Sequence, residues 1–273
     1  MTTHWMVVSH GTAQAAARLC LQLEGVIDRV HLICTAPGEA DHAAQELRAR
    51  NSATTEVHDC GDNPGYLPSA ARIFATLPDL PELLVISNAD LELVHCDIHA
   101  LLMAAGAPGV LMLAPQIHEP DGNDQNPHLL RAPKATKLAV LAALFSSTAV
   151  ANLISAVRKS NRSRQLPASA PRSEGVPMFA SHGSCLVFSR EYFTLGGEID
   201  YPFFLFGEEL WCGSEVARLG GSIRYTRALA VQHHAHASTG SGARYGRVAA
   251  SKGATSRYWG WGEGRRRLDR VGR

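Results

Sequence analysis

The sequence has few cysteines, and they form no recognisable pattern. Its 273 residues include six cysteines, which are scattered along the chain without a CxxC pair. Neither a disulfide framework nor a zinc ribbon is predicted, and a reducing compartment is the simpler setting. The N-terminus also lacks the basic segment and the run of about 7 to 15 apolar residues that a signal peptide has. We therefore expect a cytoplasmic protein.

The chain also lacks a large excess of charge of one sign. Lysine and arginine number 26 against 25 acidic residues, so the formal net charge is +1. This balance disfavours a strongly basic nucleic-acid-binding protein, and no nucleic acid is expected as a partner. Hydrophobic residues make up 45% of the chain, as in folded globular proteins. At this length we expect one large domain or two small ones.

The common nucleotide-binding and hydrolase motifs are absent. No GxGxxG follows the first apolar run, where Ser9, His10, Gly11 and Thr12 stand instead, and neither GxxxxGKS nor GxxxxGKT occurs. Ordinary dinucleotide-dependent oxidoreductases and P-loop NTPases are thereby disfavoured. The missing GxSxG nucleophile elbow argues against an α/β-hydrolase.

What the sequence does contain is an alternation of strand-like and helix-like segments. Short apolar runs rich in β-branched residues lie at 5–8, 30–34, 83–87 and 110–114, with segments of helical spacing between them. This alternation predicts an α/β fold with a mostly parallel sheet flanked by helices. Such sheets bind ligands beyond the carboxyl ends of their strands, so the residues after each apolar run are the first candidates for a site.

Residues 121–175 differ in character from the rest and read as a helical and loop insertion. Within them, the segment 138–157 carries no charge over about the length that spans a bilayer. Its small and polar residues make it a weak membrane span. A helix packed on the protein or on a partner is the first interpretation, and an interfacial membrane contact is the second.

The C-terminal residues 240–273 combine many arginines with tyrosine and tryptophan, and they are assigned as a tail after a domain at 1–239. A solvated tail is the plain interpretation. Attraction to anionic lipid head groups or to a phosphorylated ligand comes next, and nucleic acid is third.

Two polar motifs stand where a site could form. Asn88 and Asp90 follow the apolar run at 83–87, where a carboxylate can hold a divalent cation against a diphosphate. Asn63 and Gly65 form a second motif before a helical segment. A plain turn is the alternative interpretation of both motifs.

Two adjacent acids, Glu208 and Glu209, follow an aromatic run at 203–206 and open a helical segment. Acids at a helix N-terminus often only complement the helix dipole. A carboxylate beside so much apolar surface can instead have a raised pKa and act as a general base.

Three histidines, at positions 233, 234 and 236, follow a further strand-like run. Neutral imidazoles at such a spacing can ligate a metal ion, although single histidines are more often ordinary polar residues.

Taken in order, these motifs resemble the family 2 glycosyltransferases of the GT-A fold, particularly the rhamnosyltransferase-like branch. The resemblance covers residues 6–238, with the 121–175 insertion poorly matched. Five segments carry it: the N-x-G-aromatic turn at Asn63, Gly65 and Tyr66; an N-x-D form of the metal motif at Asn88 and Asp90; the glycine-rich segment with Gly183, Gly196, Gly197 and Asp200; the acid pair that places Glu209 at the usual catalytic aspartate; and the late H-x4-S pattern at His233 and Ser238.

The resemblance implies a GT-A, Rossmann-like fold and an inverting transfer of a hexosyl or rhamnosyl group from a nucleoside diphosphate sugar. Asp90 and His233 would hold Mg²⁺ or Mn²⁺, and Glu209 would be the general base, with Glu208 as the alternative. The expected nucleotide-side contacts are Ser9, His10, Asn63, Gly65, Asn88 and Asp90, and the expected acceptor-side residues are His182, Gly183, Asp200 and Trp211.

A glycan or a lipid-linked glycan is the expected acceptor, as in cell-surface polysaccharide biosynthesis. The insertion and the basic tail suit a peripheral contact with the inner face of a membrane. A homodimer is compatible with the sequence. High alanine, arginine and glycine usage suggests a bacterial origin.

The sequence departs from the family pattern at three places. Cys34 and Thr35 replace the aspartate that commonly reads the nucleotide base, Ala71 replaces a second asparagine, and Glu209 is one methylene longer than aspartate. Two other functions therefore stay open. One is a metal-dependent phosphoesterase or other hydrolase using His234 and His236 with Asp90, and the other is a non-catalytic nucleotide-sugar-binding protein of the same fold.

Overall fold

One twisted sheet with helices on both faces organises the chain. The computed structural model describes residues 2–52, 54–145, 173–234 and 244–271. In that part of the chain the strands are β1 Thr3–Ser9, β2 Arg29–Cys34, β3 Thr55–Asp59, β4 Leu83–Asn88, β5 Leu91–Cys96, β6 Val110–His118, β7 Pro177–Met178, β8 Cys185–Ser189 and β9 Ser222–His233.

The strand order is β3-β2-β1-β4-β8-β6-β9-β5, and β7 pairs with β9. Strands β1 to β4 pair in parallel, as expected where a helix connects each strand to the next. Strand β8 runs antiparallel between β4 and β6, and β5 folds back to pair antiparallel with β9. The sheet is therefore mixed, with a parallel half that ends at β4.

The helices are α1 Ala13–Leu23, α2 Glu39–Ala49, α3 Tyr66–Phe74, α4 Ile98–Ala105, α5 Ala135–Phe145, α6 Arg190–Thr194, α7 Glu208–Arg218, α8 Arg244–Trp261 and α9 Glu263–Val271. Alternate residues of each central strand point to opposite faces, so the core has two layers. Trp5 and Val7 pack in the layer with α1, α2 and α4. Met6 packs in the layer with α3, α7 and α8.

This architecture confirms the predicted α/β fold class. The runs at 5–8, 30–34, 83–87 and 110–114 all lie in strands that the structure contains. Their nearly continuous burial explains why they read as apolar runs and not as alternating patterns. The six cysteines are unpaired, as their scatter predicted.

The insertion at 121–175 is described only at its two ends, 121–145 and 173–175. A loop precedes α5, and most of the uncharged segment 138–157 lies outside the described residues. Among the helices that the structure describes, none has the length and apolar content needed to cross a membrane.

The C-terminal residues 244–271 do not form a solvated tail. They form α8 and α9, and Trp259 and Leu268 are buried in the core layer of α3 and α7. Gly207, which precedes α7, permits this packing, because a side chain there would lie 2.7 Å from both Thr255 and Trp259. The aromatic residues of this segment therefore include core residues.

Helix α9 is fastened to α7 by an arginine. The guanidinium of Arg267 stacks over the Trp211 ring at 4.0 Å, and its Nη1 lies 2.7 Å from Oε1 of the buried Glu215. Arg218 binds the same carboxylate from within α7. Two cations thus neutralise one buried acid, and one of them comes from the C-terminal helix.

We expect Arg267→Ala to lower the free energy of unfolding by about 1.5 to 3 kcal/mol, because the buried Glu215 loses one of its two charged partners. Arg266→Ala is the matched control: Arg266 is exposed, and the change should stay within about 0.5 kcal/mol. Urea denaturation of the three proteins checks this. Equal stabilities of the two variants would contradict it.

Candidate active site

Strand register brings two of the predicted residues together. Asp90 lies in the turn between β4 and β5, and β5 pairs with β9 so that Leu91 stands opposite His233. The backbone N–H of His234 donates to the carbonyl of Asp90 at 2.9 Å. The acid after β4 and the histidine at the end of β9 therefore meet at one edge of the sheet.

The side chains of these two residues face each other without a hydrogen bond. Nε2 of His233 lies 3.6 Å from Oδ1 of Asp90, and both side chains are largely buried. Oδ1 is fully buried and has no hydrogen-bond partner among the residues that the structure describes. Burying a carboxylate oxygen without a hydrogen-bond partner costs free energy unless another group binds that oxygen.

The orientation of the His233 ring is set from the insertion. Nδ1 of His233 lies 3.0 Å from Oε1 of Gln125, and the Gln125 amide group donates to Glu119 at 3.0 Å. Because the amide N–H points to Glu119, Oε1 is left to accept a hydrogen bond from the Nδ1–H group of His233. In a neutral ring with its proton on Nδ1, Nε2 is unprotonated, and it lies 3.6 Å from Oδ1 of Asp90.

Two atoms that can act as metal ligands, Nε2 of a neutral His233 and Oδ1 of Asp90, therefore lie 3.6 Å apart at a buried position. Two ligand atoms at about 2.1 Å from one cation lie between about 3.0 and 4.2 Å apart, so a divalent ion fits between them. The hydrogen bond from Nδ1 to a neighbouring acceptor is the arrangement that metal-binding histidines usually have. Asp90 and His233 thus fit the predicted divalent cation.

His182 and Gly183, in the loop before β8, lie beside the Asp90–His233 pair. The His182 ring meets the His233 ring edge-on, with centroids 5.9 Å apart. The buried Asn126 holds this loop, because its Oδ1 accepts from the backbone N–H of His182 and its amide group donates to the carbonyl of Pro115. The two predicted acceptor-side residues therefore lie next to the candidate metal ligands.

The structure separates the two adjacent acids. Glu208 is buried and its Oε1 accepts from the backbone N–H of Phe206. Glu209 is only partly buried, and a side chain on Gly183 would lie 2.8 Å from its Oε1. Glu209 is thus the acid that faces the His182–Gly183 loop, and Gly183 leaves the space for its carboxylate.

Burial, and secondarily the charge of Glu209, raises the pKa of Glu208 well above its usual range. The protonated form of Glu208 is therefore favoured in the folded protein. A second negative charge directly beside Glu209 is avoided in this way.

Three side chains meet beyond the carboxyl ends of β1, β2 and β3. Nδ1 of His10 lies 2.9 Å from Oγ1 of Thr35 and 3.0 Å from the amide nitrogen of Asn63. Thr35 occupies the position where the resemblance expected an aspartate. It thus lies in one cluster with His10 and Asn63, two residues that were predicted to contact the nucleotide.

Ser9 has a structural role, in contrast to the predicted nucleotide contact. Its side chain is buried, and its hydroxyl donates to Glu39 at 2.6 Å. Glu39 also accepts from the backbone N–H groups of Thr12 and Ala36. Burial raises the pKa of Glu39, but these hydrogen bonds together outweigh it, so the net pKa is lowered. The charged Glu39 fastens the loops that follow β1 and β2.

Gly65 and Asn88 contribute through their backbones. Gly65 has a φ of 120°, and a side chain there would lie 2.2 Å from the carbonyl oxygen of Phe204. It therefore allows the loop before α3 to pack on the aromatic run before α7. The backbone N–H of Asn88 donates to the carbonyl of Ser184, which ties the end of β4 to the His182–Gly183 loop.

Trp211, a predicted acceptor-side residue, does not reach this place. Trp211 is a core residue, packed between Tyr201 and Arg267, with its indole N–H donating to the carbonyl of Glu198. Its position in the first turn of α7 turns it toward the C-terminal helices. Asp200 is exposed in the loop between α6 and α7.

The alternative set of metal ligands is not assembled. Nε2 of His234 lies 3.0 Å from Glu92 on the exposed side of β5, and only its backbone contacts Asp90. His236 and Ser238 lie outside the described residues. A hydrolase site built from His234 and Asp90 is thus not supported by the positions of these side chains.

Sequence reasoning missed Gln125, Asn126 and Glu39. Gln125 and Asn126 belong to a polar stretch that was interpreted only as part of an insertion, although it directly follows the strand β6. The rule that ligands bind after strand ends could have found them. Glu39 opens α2, where an acid also complements the helix dipole.

No family model and no curated protein matches the chain. Among solved structures, GalNAc-T7 with UDP, GalNAc and Mn²⁺ superposes with a TM-score of 0.58 at 14% identity, over 97% of this chain and 50% of that one. S. aureus TarS gives 0.54 at 8% identity, over 85% and 36%. The mannosyltransferase PcManGT from Pyrobaculum calidifontis, in complex with GDP-Man and Mn²⁺, gives 0.50 at 11% identity, over 99% and 73%.

These similarities show that the chain has the GT-A fold of glycosyltransferases, as the resemblance implied. At such low identity they concern the fold alone. The chain also spans only half the length of the GalNAc-T7 structure and 36% of the TarS structure.

The raised pKa of Glu208 predicts how the free energy of unfolding changes with pH. Below its ordinary pKa of 4.5, Glu208 is protonated in both the folded and unfolded chain. As the pH rises, the unfolded chain releases this proton first, so the free energy of unfolding falls until the folded pKa is passed. We expect Glu208→Gln to remove this loss, so that its stability relative to the wild type grows with pH.

Urea denaturation of the wild type and Glu208→Gln between pH 4 and about pH 9 measures this difference. Glu191→Gln, which changes an exposed acid in the first turn of α6, is the matched control and should show little pH-dependent difference. A difference between Glu208→Gln and the wild type that does not change with pH would contradict the raised pKa.

Proposed function

We propose that the protein is a metal-dependent glycosyltransferase that takes a sugar from a nucleoside diphosphate sugar and inverts its anomeric centre. The observation that carries the proposal is the buried Asp90 carboxylate, whose Oδ1 lies 3.6 Å from Nε2 of His233, at the ligand-binding end of a GT-A fold. An acid, Glu209, lies across the His182–Gly183 loop from this pair.

Asp90 and His233 are the residues that would hold Mg²⁺ or Mn²⁺. Such an ion, when bound, neutralises charge on the departing diphosphate. Gln125 holds the His233 ring in the tautomer with a free Nε2, and the Asp90 backbone is fixed by His234. These residues are thus oriented before any ligand arrives, which reduces the cost of binding.

Glu209 is assigned as the general base. It would take the proton from the acceptor hydroxyl as that oxygen attacks the anomeric carbon opposite the breaking bond to the diphosphate. Glu208 is disfavoured because it is buried and its Oε1 binds the Phe206 backbone.

The donor is proposed to lie between the Asp90–His233 pair and the cluster of His10, Thr35 and Asn63. GalNAc-T7 and PcManGT carry a uridine and a guanosine diphosphate compound in their structures, which supports a nucleoside diphosphate sugar as the donor class. Thr35, in place of an acid, holds His10 in position, and its hydroxyl donates to the carbonyl of Ser9.

The acceptor is proposed to be a glycan or a lipid-linked glycan that approaches along His182 and Gly183. The exposed face of the C-terminal helices supports a peripheral contact with an anionic surface. Trp261 is 53% exposed there, and Arg266 and Arg270 are exposed on α9. Aromatic and cationic side chains together favour a lipid head-group region.

The activity test mixes the purified protein with a panel of nucleotide sugars and Mn²⁺ and measures the release of nucleoside diphosphate. We expect Glu209→Gln to lower the rate about 10²- to 10⁴-fold while the donor still binds, because only proton removal is lost. Asp90→Asn should lose both activity and Mn²⁺ binding. Calorimetry with donor and Mn²⁺ separates the two effects.

Glu191→Gln, with the same chemical change in the first turn of another helix, should leave the rate unaffected. Full activity of Glu209→Gln would refute the assignment of the base. Donor binding without turnover on any acceptor would instead favour a nucleotide-sugar-binding protein.

Gln125→Leu tests the orientation of the metal ligand. The variant removes the acceptor that holds the proton on Nδ1 of His233, so we expect Mn²⁺ affinity to fall about 10- to 100-fold. Titration of Mn²⁺ followed by electron paramagnetic resonance gives the affinity. Gln45→Leu, at an exposed position on α2, is the control and should bind Mn²⁺ like the wild type. Unchanged affinity in Gln125→Leu would rule out this role.

A further inference from the structure

A second group of histidines lies on the parallel half of the sheet, apart from the site described above. His31 of β2 and Glu56 and His58 of β3 bring their ligand atoms within 4.8 Å of one another. Glu56 and His58 are two residues apart on one strand, and the register pairs His31 with Glu56. The three side chains therefore share one face of the sheet.

The distances between the donor atoms are those of a metal site. Nδ1 of His31 lies 3.1 Å from Nε2 of His58 and 3.7 Å from Oε2 of Glu56. Ligands at about 2.0 to 2.1 Å from one tetrahedral Zn²⁺ are about 3.3 Å apart. Two of the three donor-atom distances are near that value, and the third, between His58 and Glu56, is at most 4.8 Å.

Each of two donors also has an outer partner that orients it. Nε2 of His31 lies 3.0 Å from Nδ1 of His4 on β1. When Nε2 of His31 is the donor in that hydrogen bond, Nδ1 of a neutral His31 is unprotonated and can bind a metal ion. Nη1 of Arg29 lies 2.9 Å from Oε1 of Glu56, which turns Oε2 toward His31. Metal-binding histidines and carboxylates usually have partners of this kind.

We propose that His31, Glu56 and His58 bind a divalent transition-metal ion of the zinc type, with His4 and Arg29 as the orienting residues. Two imidazoles and one carboxylate are a donor set that Zn²⁺ accepts, with water completing the coordination. His31 is buried, and the side chain of Glu56 is 47% exposed, so the ion has an open approach.

Burial lowers the pKa of His31 to about 4, and it also lowers that of His58. Both imidazoles are therefore neutral at pH 7, which is the form that ligates a metal. A bound ion would link β3, the edge strand of the sheet, to β2. This proposal is independent of the proposed transferase activity.

The test uses the full-length protein without a polyhistidine tag, after treatment with a chelator. Excess Mg²⁺ is present, and Zn²⁺ is titrated by calorimetry, with Co²⁺ absorption reporting the nitrogen and oxygen ligands. We expect one zinc-type site in the wild type and in Asp90→Asn. His58→Ala should weaken its affinity by more than about 100-fold, and His4→Gln by about 10- to 100-fold.

His99→Ala, which removes an exposed histidine from α4, is the matched control and should bind Zn²⁺ like the wild type. Glu56→Gln provides a second, more exposed ligand change in case His58→Ala fails to fold, and it too should weaken binding. Saturating Zn²⁺ should raise the melting temperature of the wild type and leave that of the two ligand variants unchanged.

Equal zinc affinity in the wild type and in both ligand variants would overturn the proposal. Zinc binding that is lost in Asp90→Asn but kept in His58→Ala would also overturn it, since the ion would then occupy the other site.

Discussion

The antiparallel pairing of β5 with β9 is the constraint on which the candidate active site depends. It sets Leu91 opposite His233, and only in this register do the carboxylate after β4 and the imidazole at the end of β9 face each other. A shift by one residue would turn His233 to the other face of the sheet. Gln125 then fixes the ring, and Asn88 and Ser184 tie β4 to β8. The site is thus a property of the sheet, and side chains from distant loops only refine it.

Buried acids are used in three different ways in this structure. Glu39 is charged and accepts hydrogen bonds from Ser9 and from the loops that follow β1 and β2, so it shapes the side on which the donor nucleotide is proposed to bind. Glu215 is neutralised by two arginines and fastens the C-terminal helix. Glu208 accepts a hydrogen bond from the Phe206 backbone but has no cationic partner, and burial outweighs that bond and favours its protonated form. Each of these three arrangements avoids the free-energy cost of burying a charge that has no compensating partner.

The C-terminal helices connect the fold to the proposed chemistry. They cover the turn at Gly207 from which α7 starts, and α7 carries both adjacent acids. Arg267 binds Glu215, which lies on the same helix as Glu209 and six residues after it. On α9, Arg267 stabilises the fold from inside, while Arg266 and Arg270 are exposed.

The sequence by itself determined the strands at 5–8, 30–34, 83–87 and 110–114, the fold class, and the placing of Asp90 and His233 after strand ends. These features are local, because apolar runs and turn residues act through their neighbours in the chain. Only the tertiary structure decided that Glu209 faces Gly183, that Trp211 belongs to the core, and that the basic aromatic C-terminal segment packs as helices. Those outcomes depend on contacts between remote segments, such as Gln125 and His233, which are 108 residues apart. No periodicity in the sequence encodes such a contact, because it exists only once the sheet has set the register and the loops have packed against it.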